Sequence, residues 1–461
     1  MKKYIYFFVV GAVCLLLSAT AYAEDLNNSD ANIIGHVLEK SSQEHLPYIT
    51  VSLKGTTIGA MTDATGHYFL KNLPEGDFIL QVSAVGYKAQ SRKVTLKRGK
   101  TLEENFELEE DLIALDGVVV TANRSETTRR MAPTLVNVMD FKLFENTNSA
   151  TLSQGLNFQP GVRVETNCQN CGFQQVRING LDGPYTQILI DSRPIFSALA
   201  GVYGLEQIPA NMIERVEVMR GGGSALFGSS AIAGTINIIT KEPLRNSGQL
   251  SHTITGVGGT SSWDNSTTMN ASLVTDNSKA GLYIFGQNRE RSGYDSDGDG
   301  FTELPKLKNQ TVGFRSFLKT SAYSKLTFEY HHLQEFRRGG DLLNRPPHEA
   351  NIAEQLRHSI NSGGLKFDYF SPDEKHRLSV YASAQHIGRD SYYGGNQDLN
   401  AYGATKDFTW VAGSQYIYHF DRCLFMPSDL TGGVEYNQDN LKDDMWGYNR
   451  YTNQKAVSYT H

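Results

Sequence analysis

The stretch IPANMIERVEVMRGGGSALFGSSAIAGTINIITK, residues 208–241, sets the reading of the whole chain. It holds two β-like runs, Val216-Glu217-Val218-Met219 and Thr235 to Thr240, joined almost wholly by small residues and glycine. Gly221, Gly222, Gly223, Gly228 and Gly234 permit turns and a close backbone approach that a Cβ would block. Ahead of the first run, IPANM predicts a short helical turn. Along that run Glu214, Arg215, Glu217 and Arg220 alternate in sign. Isolated surface pairs of this kind contribute little.

Upstream, ATLSQGLNFQPGVRVE (150–165) spaces Leu152 and Leu156 as a helix does, and Pro160-Gly161 ends it. With QVRINGLDGPYTQILIDSRPI (175–195), these segments make residues 129–245 one compact mixed domain. Before it, residues 113–128 read as a linker that carries the apolar run Val118-Val119-Val120. Such a run without a neighbouring strand is an edge hazard. Offered deliberately, it is a segment for strand addition by another protein. It also fits a first strand of the domain that follows, and the residues alone leave both open.

Residues 24–112 read as short strands punctuated by Gly, Asp and Pro, a small antiparallel sandwich with no catalytic signature. The first 23 residues, with Lys2 and Lys3, an apolar stretch and Ala21-Tyr22-Ala23, are an export signal. A membrane anchor fits less well because the apolar stretch is short. Cys14 fits lipidation poorly. Three cysteines remain after the signal. In an oxidising compartment the close pair Cys168 and Cys171 reads as a small disulfide, with half of a zinc site as the alternative. Cys423 is left over. The net charge of −6 and the lack of a basic stripe argue against nucleic acid as the partner.

After residue 245 the texture changes. KLTFEYHHLQEF puts Leu326, Phe328 and Tyr330 on one face and Thr327, Glu329 and His331 on the other. In GLKFDYFSPDEKHRLSVYASAQ, Leu365, Phe367 and Tyr369 face one way, Ser371-Pro372-Asp373 turns, and Leu378, Val380, Ala382 and Ala384 answer. Leu430, Val434 and Tyr436 repeat the pattern. Alternating runs of about ten residues with tight turns and long polar loops are the mark of a transmembrane β-barrel, although a soluble β-sandwich also alternates.

In this order, the segments resemble the TonB-dependent outer-membrane receptors. The resemblance rests on residues 208–241, on RINGLDGPYTQILIDSRPI (177–195) and on DGVVVTA (116–122), which is similar to a TonB box. The front sandwich resembles a carboxypeptidase regulatory-like domain. The resemblance implies a mainly β fold: sandwich, α+β plug, and the first strands of a 22-stranded barrel. It implies no enzyme, but energised uptake of a scarce metal complex such as a ferric siderophore, haem or cobalamin. TonB would be the partner, adding a strand to Asp116, Gly117, Val118, Val119, Val120, Thr121 and Ala122. The charges of the 214–220 run would pair plug with barrel wall. A glycan importer of the same superfamily is the nearest rival, although its plug reads differently where this chain has RGGGSALFGSSAIAGTI (220–236). An exported surface-binding protein that transports nothing is the rival from another class.

Two further clusters are candidates. Asp295, Asp297 and Asp299, with Gly300 turning and Glu303 near, match the first half of a calcium loop, though its twelfth position is Lys306 rather than Glu. A solvated acidic loop is the plainer alternative. His331, His332 and His348, with Arg337 and Arg338, are candidates for haem iron or an anionic siderophore; the plainer alternative is scattered lumen and rim residues. Residues 246–461 have room for roughly ten strands of about ten residues plus loops. Plugged transporters use about 22. The expectation is therefore a fragment or an interrupted gene that does not close a barrel as it stands.

Overall fold

The computed structural model describes residues 29–460 apart from 64, 85, 111–117, 120, 122–126, 129–134, 169, 171, 195–203, 222–226, 229–230, 260, 276, 424–425 and 447–449. Three bodies follow one another along the chain. The first is a sandwich of two four-stranded sheets. In strand Ala31–Glu39 the alternate residues Ala31, Ile33 and Val37 are buried. They meet Val51, Leu53, Leu80 and Val82 of the facing sheet in one apolar core. A turn of the sandwich rests against the third body: the Thr57 amide donates to the Ala322 carbonyl at 2.8 Å.

The second body is built on a four-stranded sheet in the order Val136–Asp140, Ile213–Arg220, Gly234–Thr240, Thr186–Ile190. The two runs of the 208–241 stretch are its central strands. They pair antiparallel, with Glu217 opposite Asn237 and Arg220 opposite Gly234. A short 3-10 turn, Ala210–Met212, leads into the first of them, as the sequence predicts. The helix Leu152–Leu156 covers the sheet with both leucines fully buried.

The glycines between the two strands divide the two expected roles, turn and close approach, between them. Close approach holds at Gly234, where a Cβ would collide with the Met219 carbonyl of the paired strand. It does not hold at Gly221 or Gly228, where a Cβ would meet nothing within 4 Å. Those two serve the turn instead, at φ 74° and 90°, a conformation that costs glycine nothing. The reason is position: Gly234 lies between strands, whereas Gly228 stands in the connection, its carbonyl accepting from the Ala231 amide at 3.1 Å. Gly222 and Gly223 lie outside the described residues.

The third body is a ten-stranded antiparallel sheet running in sequence order from Ser247–Val257 to Arg450–Thr460. The hairpin register is the expected one: Leu365 opposite Ala382, Phe367 opposite Val380, Tyr369 opposite Leu378. Leu250, Ile254, Leu273, Val312, Leu365 and Val434 lie exposed on the outer face. The inner face carries Arg289, Arg291, Glu335 and Arg337, all nearly or fully buried. This apolar-out, polar-in alternation is what a strand needs between lipid and a lumen. No described helix is long and apolar enough to cross a membrane, which says nothing of strands.

Candidate functional site

The plug-like second body meets the inner face of the sheet through two buried clusters of charge. In the first, Glu206 receives the guanidiniums of three wall arginines: Arg337 at 2.8 Å, Arg291 at 3.1 Å and Arg289 at 3.2 Å. Each arginine is held from a second side. Arg289 forms a fork with Asp264, Arg291 donates to the Pro305 carbonyl, and Arg337 pairs with Glu335 at 2.8 Å. Gln207, next along the plug, donates to Glu335 at 3.0 Å. Burial alone would raise the Glu206 carboxyl, but Arg337, Arg291 and Arg289 outweigh it and hold the group at about 2.

The second cluster sits at the end of strand Thr186–Ile190. Arg193 of the plug pairs with Glu329 of the wall and donates to the Ser383 hydroxyl at 3.0 Å. Arg315 of the wall pairs in return with Asp191 of the plug and lies 3.4 Å from Glu329. Asp191 also accepts from the Thr240 hydroxyl at 2.7 Å. Burial pushes the Asp191 carboxyl up, yet Arg315 and Arg193 bring it below the usual carboxylate range. Neutral bonds extend the seam: the Asn211 amide donates to the Met269 and Gly286 carbonyls at 3.1 and 3.0 Å.

The apolar run of the linker lies on the plug. Val118–Val119 pairs antiparallel with Thr127–Thr128. Val119 is fully buried among Val136, Leu189, Met219, Phe227 and Ala231. Thr121 donates twice to one oxygen of Glu217, from its amide at 2.8 Å and its hydroxyl at 2.6 Å. Asn237 donates to the same hydroxyl at 3.0 Å. Of the two readings that the sequence leaves open, the structure shows a run seated on the plug, not a loose edge. Asp116, Gly117, Val120 and Ala122 lie outside the described residues.

This seat corrects the role expected for the alternating charges. Among the described residues, the ion pairs of Glu214, Arg215 and Glu217 run within the plug: Arg215 to Glu217 at 2.9 Å and to Glu214 at 3.3 Å. Arg220 sits beside Gly161, with a guanidinium nitrogen where a Cβ on that glycine would point. The wall is reached instead by Asp191, Arg193, Glu206 and Gln207, which alternation in one strand could not have singled out. The usable signal was Glu329, an acid on the inward face of a barrel-like strand.

The histidine and arginine candidates do not converge. His331 and His332 are consecutive in one strand and so face opposite ways. His332 bonds Asn361 at 3.0 Å, and His348 bonds the Tyr402 hydroxyl at 2.7 Å. Arg337 belongs to the Glu206 cluster, while Arg338 holds the Asp341 carbonyl at 3.0 Å. The acidic loop does converge: oxygens of Asp295, Asp297, Asp299 and Glu303 lie within 4.8 Å of one another. Several also accept loop amides, Asp295 from Gly298 at 2.7 Å and Gly300 at 2.8 Å. The Cys168 sulfur is 3.3 Å from Glu354. Its expected partner Cys171 falls outside the described residues, as does the side chain of Cys423.

Comparison with known proteins meets this geometry from two sides. Residues 33–120 match the CarboxypepD_reg-like domain and residues 128–235 the TonB-dependent Receptor Plug Domain. The chain carries a plug domain of the kind found in TonB-dependent receptors. It is 38% identical over 125 residues to the vitamin B12 transporter BtuB of Vibrio vulnificus strain CMCP6, a match covering 27% of this chain and 20% of that one. The chain thus spans only about a fifth of the curated relatives' length in these matches. In fold it is similar to the siderophore receptor PirA of Acinetobacter baumannii: TM-score 0.59, 19% identity, 68% of this chain and 50% of that one. The ferric enterobactin receptor PfeA of Pseudomonas aeruginosa gives a TM-score of 0.58 at 15% identity, over 72% and 54% of the two chains. The chain is mainly β, and the likeness to these structures is one of fold.

Proposed function

We propose that the protein to which this chain belongs takes up a scarce metal complex across the outer membrane, driven by TonB. The observation that carries the reading is the seat of Val119 and Thr121. Among the described residues, the run is held on the plug by the Val119 side chain, two bonds to Glu217 and one from Asn237, next to a plug clamped far more firmly to the wall. An added strand could displace such a seat while leaving the plug in place. Ligand on the outer side would shift the equilibrium between seated and released forms, without any chemical step. Among ferric siderophores, haem and cobalamin, a cobalamin-type corrinoid is the first to test, since the curated relatives at 33–38% identity are named vitamin B12 transporters. The Asp295, Asp297, Asp299 and Glu303 oxygens are close enough to hold a structural calcium ion, which would offset their mutual repulsion.

The test is uptake by whole cells carrying the receptor. Labelled cobalamin, ferric siderophore and haem are offered with and without deletion of residues 116–122. The expected outcome is ligand binding kept and import lost. Import that survives the deletion, or accumulation of an oligosaccharide in place of every metal complex, sinks the reading. For calcium, the expected result is protection of the 295–303 loop from protease on adding the ion, absent in Asp297→Asn/Asp299→Asn.

A further inference from the structure

The front sandwich carries a cluster that neither transport nor packing uses. His36 lies on strand Ala31–Glu39, and its partner across the antiparallel pair is His67 of strand His67–Leu73. Two residues on, Leu38 bridges to His45. Three imidazoles therefore gather on the face of the sheet turned away from the apolar core. Their ring centres are 5.3 Å apart for His36 and His45, 5.7 Å for His36 and His67, and 5.0 Å for His45 and His67. Three imidazoles bound to one tetrahedral ion at about 2.1 Å have ring centres roughly 5 Å apart. The three ring centres already hold that spacing.

Two details point the same way. Gly66, at φ 77°, leaves room for His45: a Cβ there would lie 2.8 Å from the His45 Cβ. The second concerns which nitrogen of His67 is available. Thr65 gives its single hydroxyl proton to Asp63 at 2.7 Å and lies 3.0 Å from His67 Nδ1. With its proton committed, the hydroxyl can only accept from Nδ1–H. The neutral ring then has its Nε2 lone pair free, with an outer-shell partner of the kind that fixes a metal-ligating histidine. As the rings stand, the three nitrogens are not within 4.8 Å of one another. The broad Cβ–Cγ torsion lets the rings of His36 and His45 turn while Thr65 holds that of His67. His45 and His67 are exposed, so an ion has a path in.

We propose that His36, His45 and His67 form a three-imidazole site for a divalent transition ion of the zinc or copper class, with a fourth position open to solvent. The ion ties strand Ala31–Glu39, the turn after it and the start of strand His67–Leu73 together. The test is zinc titration of the purified full-length receptor by calorimetry, in excess calcium so that the acidic loop does not compete. Expected is one zinc per receptor lost in His45→Gln/His67→Gln, and roughly tenfold weaker zinc in Thr65→Val, which keeps all three rings. Cobalt in place of zinc should give the intense absorption of a tetrahedral site in wild type only. Circular dichroism matching wild type shows that the variants fold. Equal zinc stoichiometry and affinity in wild type and the double variant overturns the proposal, as does a wild type that binds no zinc.

Discussion

Glu206 and Glu217 are both buried carboxylates of one plug, yet their surroundings differ. Glu206 meets three guanidiniums from the wall, and each of these is anchored again by a wall acid or carbonyl. Glu217 meets Arg215 of its own strand and spends its other oxygen on Thr121. The first arrangement is a network in which no member can leave without stranding the others. In the second, Thr121 can go while Arg215 still neutralises the acid. The contrast separates what must stay put under load from what must let go.

The sharpest way to break it is at Glu206. Glu206→Ala leaves three buried guanidiniums facing one another, and removing one partner of a buried ionic network costs about 3–5 kcal/mol. The expected outcome is a plug that dissociates from the wall at markedly lower urea, seen as new protease cleavage within residues 129–245. Arg291→Ala added to Glu206→Ala should cost less than the sum of the two, because the repulsion it relieves exists only once the acid is gone. Additive losses would mean that the cluster does not act as a unit.

The same carboxyl predicts a pH dependence. Its folded value of about 2 lies below the ordinary 4.5. A depressed acid contributes stability that is full above about 4.5 and is lost as pH falls towards 2. Urea midpoints for plug release should therefore fall between pH 4.5 and 2 in the wild type. In Glu206→Gln that part of the slope should vanish.

Much of this architecture is legible in the residues, and the part that is not has a physical reason. The pairing of Val216–Met219 with Thr235–Thr240 follows from β-branched runs flanking glycine. The 365–382 hairpin follows from alternation and a Ser-Pro-Asp turn. Both are local patterns. The Glu206 cluster is not, since its acid and its three arginines lie 83 to 131 positions apart and meet only because the sheet curves round the plug. Charge alternation in 214–220 was visible but pointed to the wrong neighbour: whether a strand's charges face the wall or their own sheet depends on packing, not spacing. Gly228 and Gly234 look alike in the chain for the same reason, since only the paired strand beside Gly234 makes its missing Cβ matter. The seat of Val119 was equally hidden, because a three-valine run reads alike on a free edge and in a groove.

A smaller effect is expected where the two kinds of contact approach each other, at Arg193. Its loss leaves Glu329 and Asp191 still served by Arg315, so Arg193→Ala should cost about 1.5–3 kcal/mol, the worth of bonds to charged groups. Urea midpoints should shift less than for Glu206→Ala. A larger shift would place the main clamp in this second cluster.

The smallest effect, and the one closest to function, belongs to Val119. Val119→Ala removes two methyl groups from the pocket of Val136, Leu189, Met219, Phe227 and Ala231. At about 0.8 kcal/mol for each carbon, the seat weakens by about 1.5 kcal/mol. That energy corresponds to roughly tenfold more frequent release of the segment and should leave global stability unchanged. Hydrogen exchange at the Thr121 amide reads it directly, because that N–H is protected by Glu217 only while the segment is seated. Exchange about ten times faster at Thr121, with unchanged exchange at Val218 in the plug sheet, is the expected pair of results. If both amides quicken together, seat and plug open as one body, and the division between a firm clamp and a yielding tether fails.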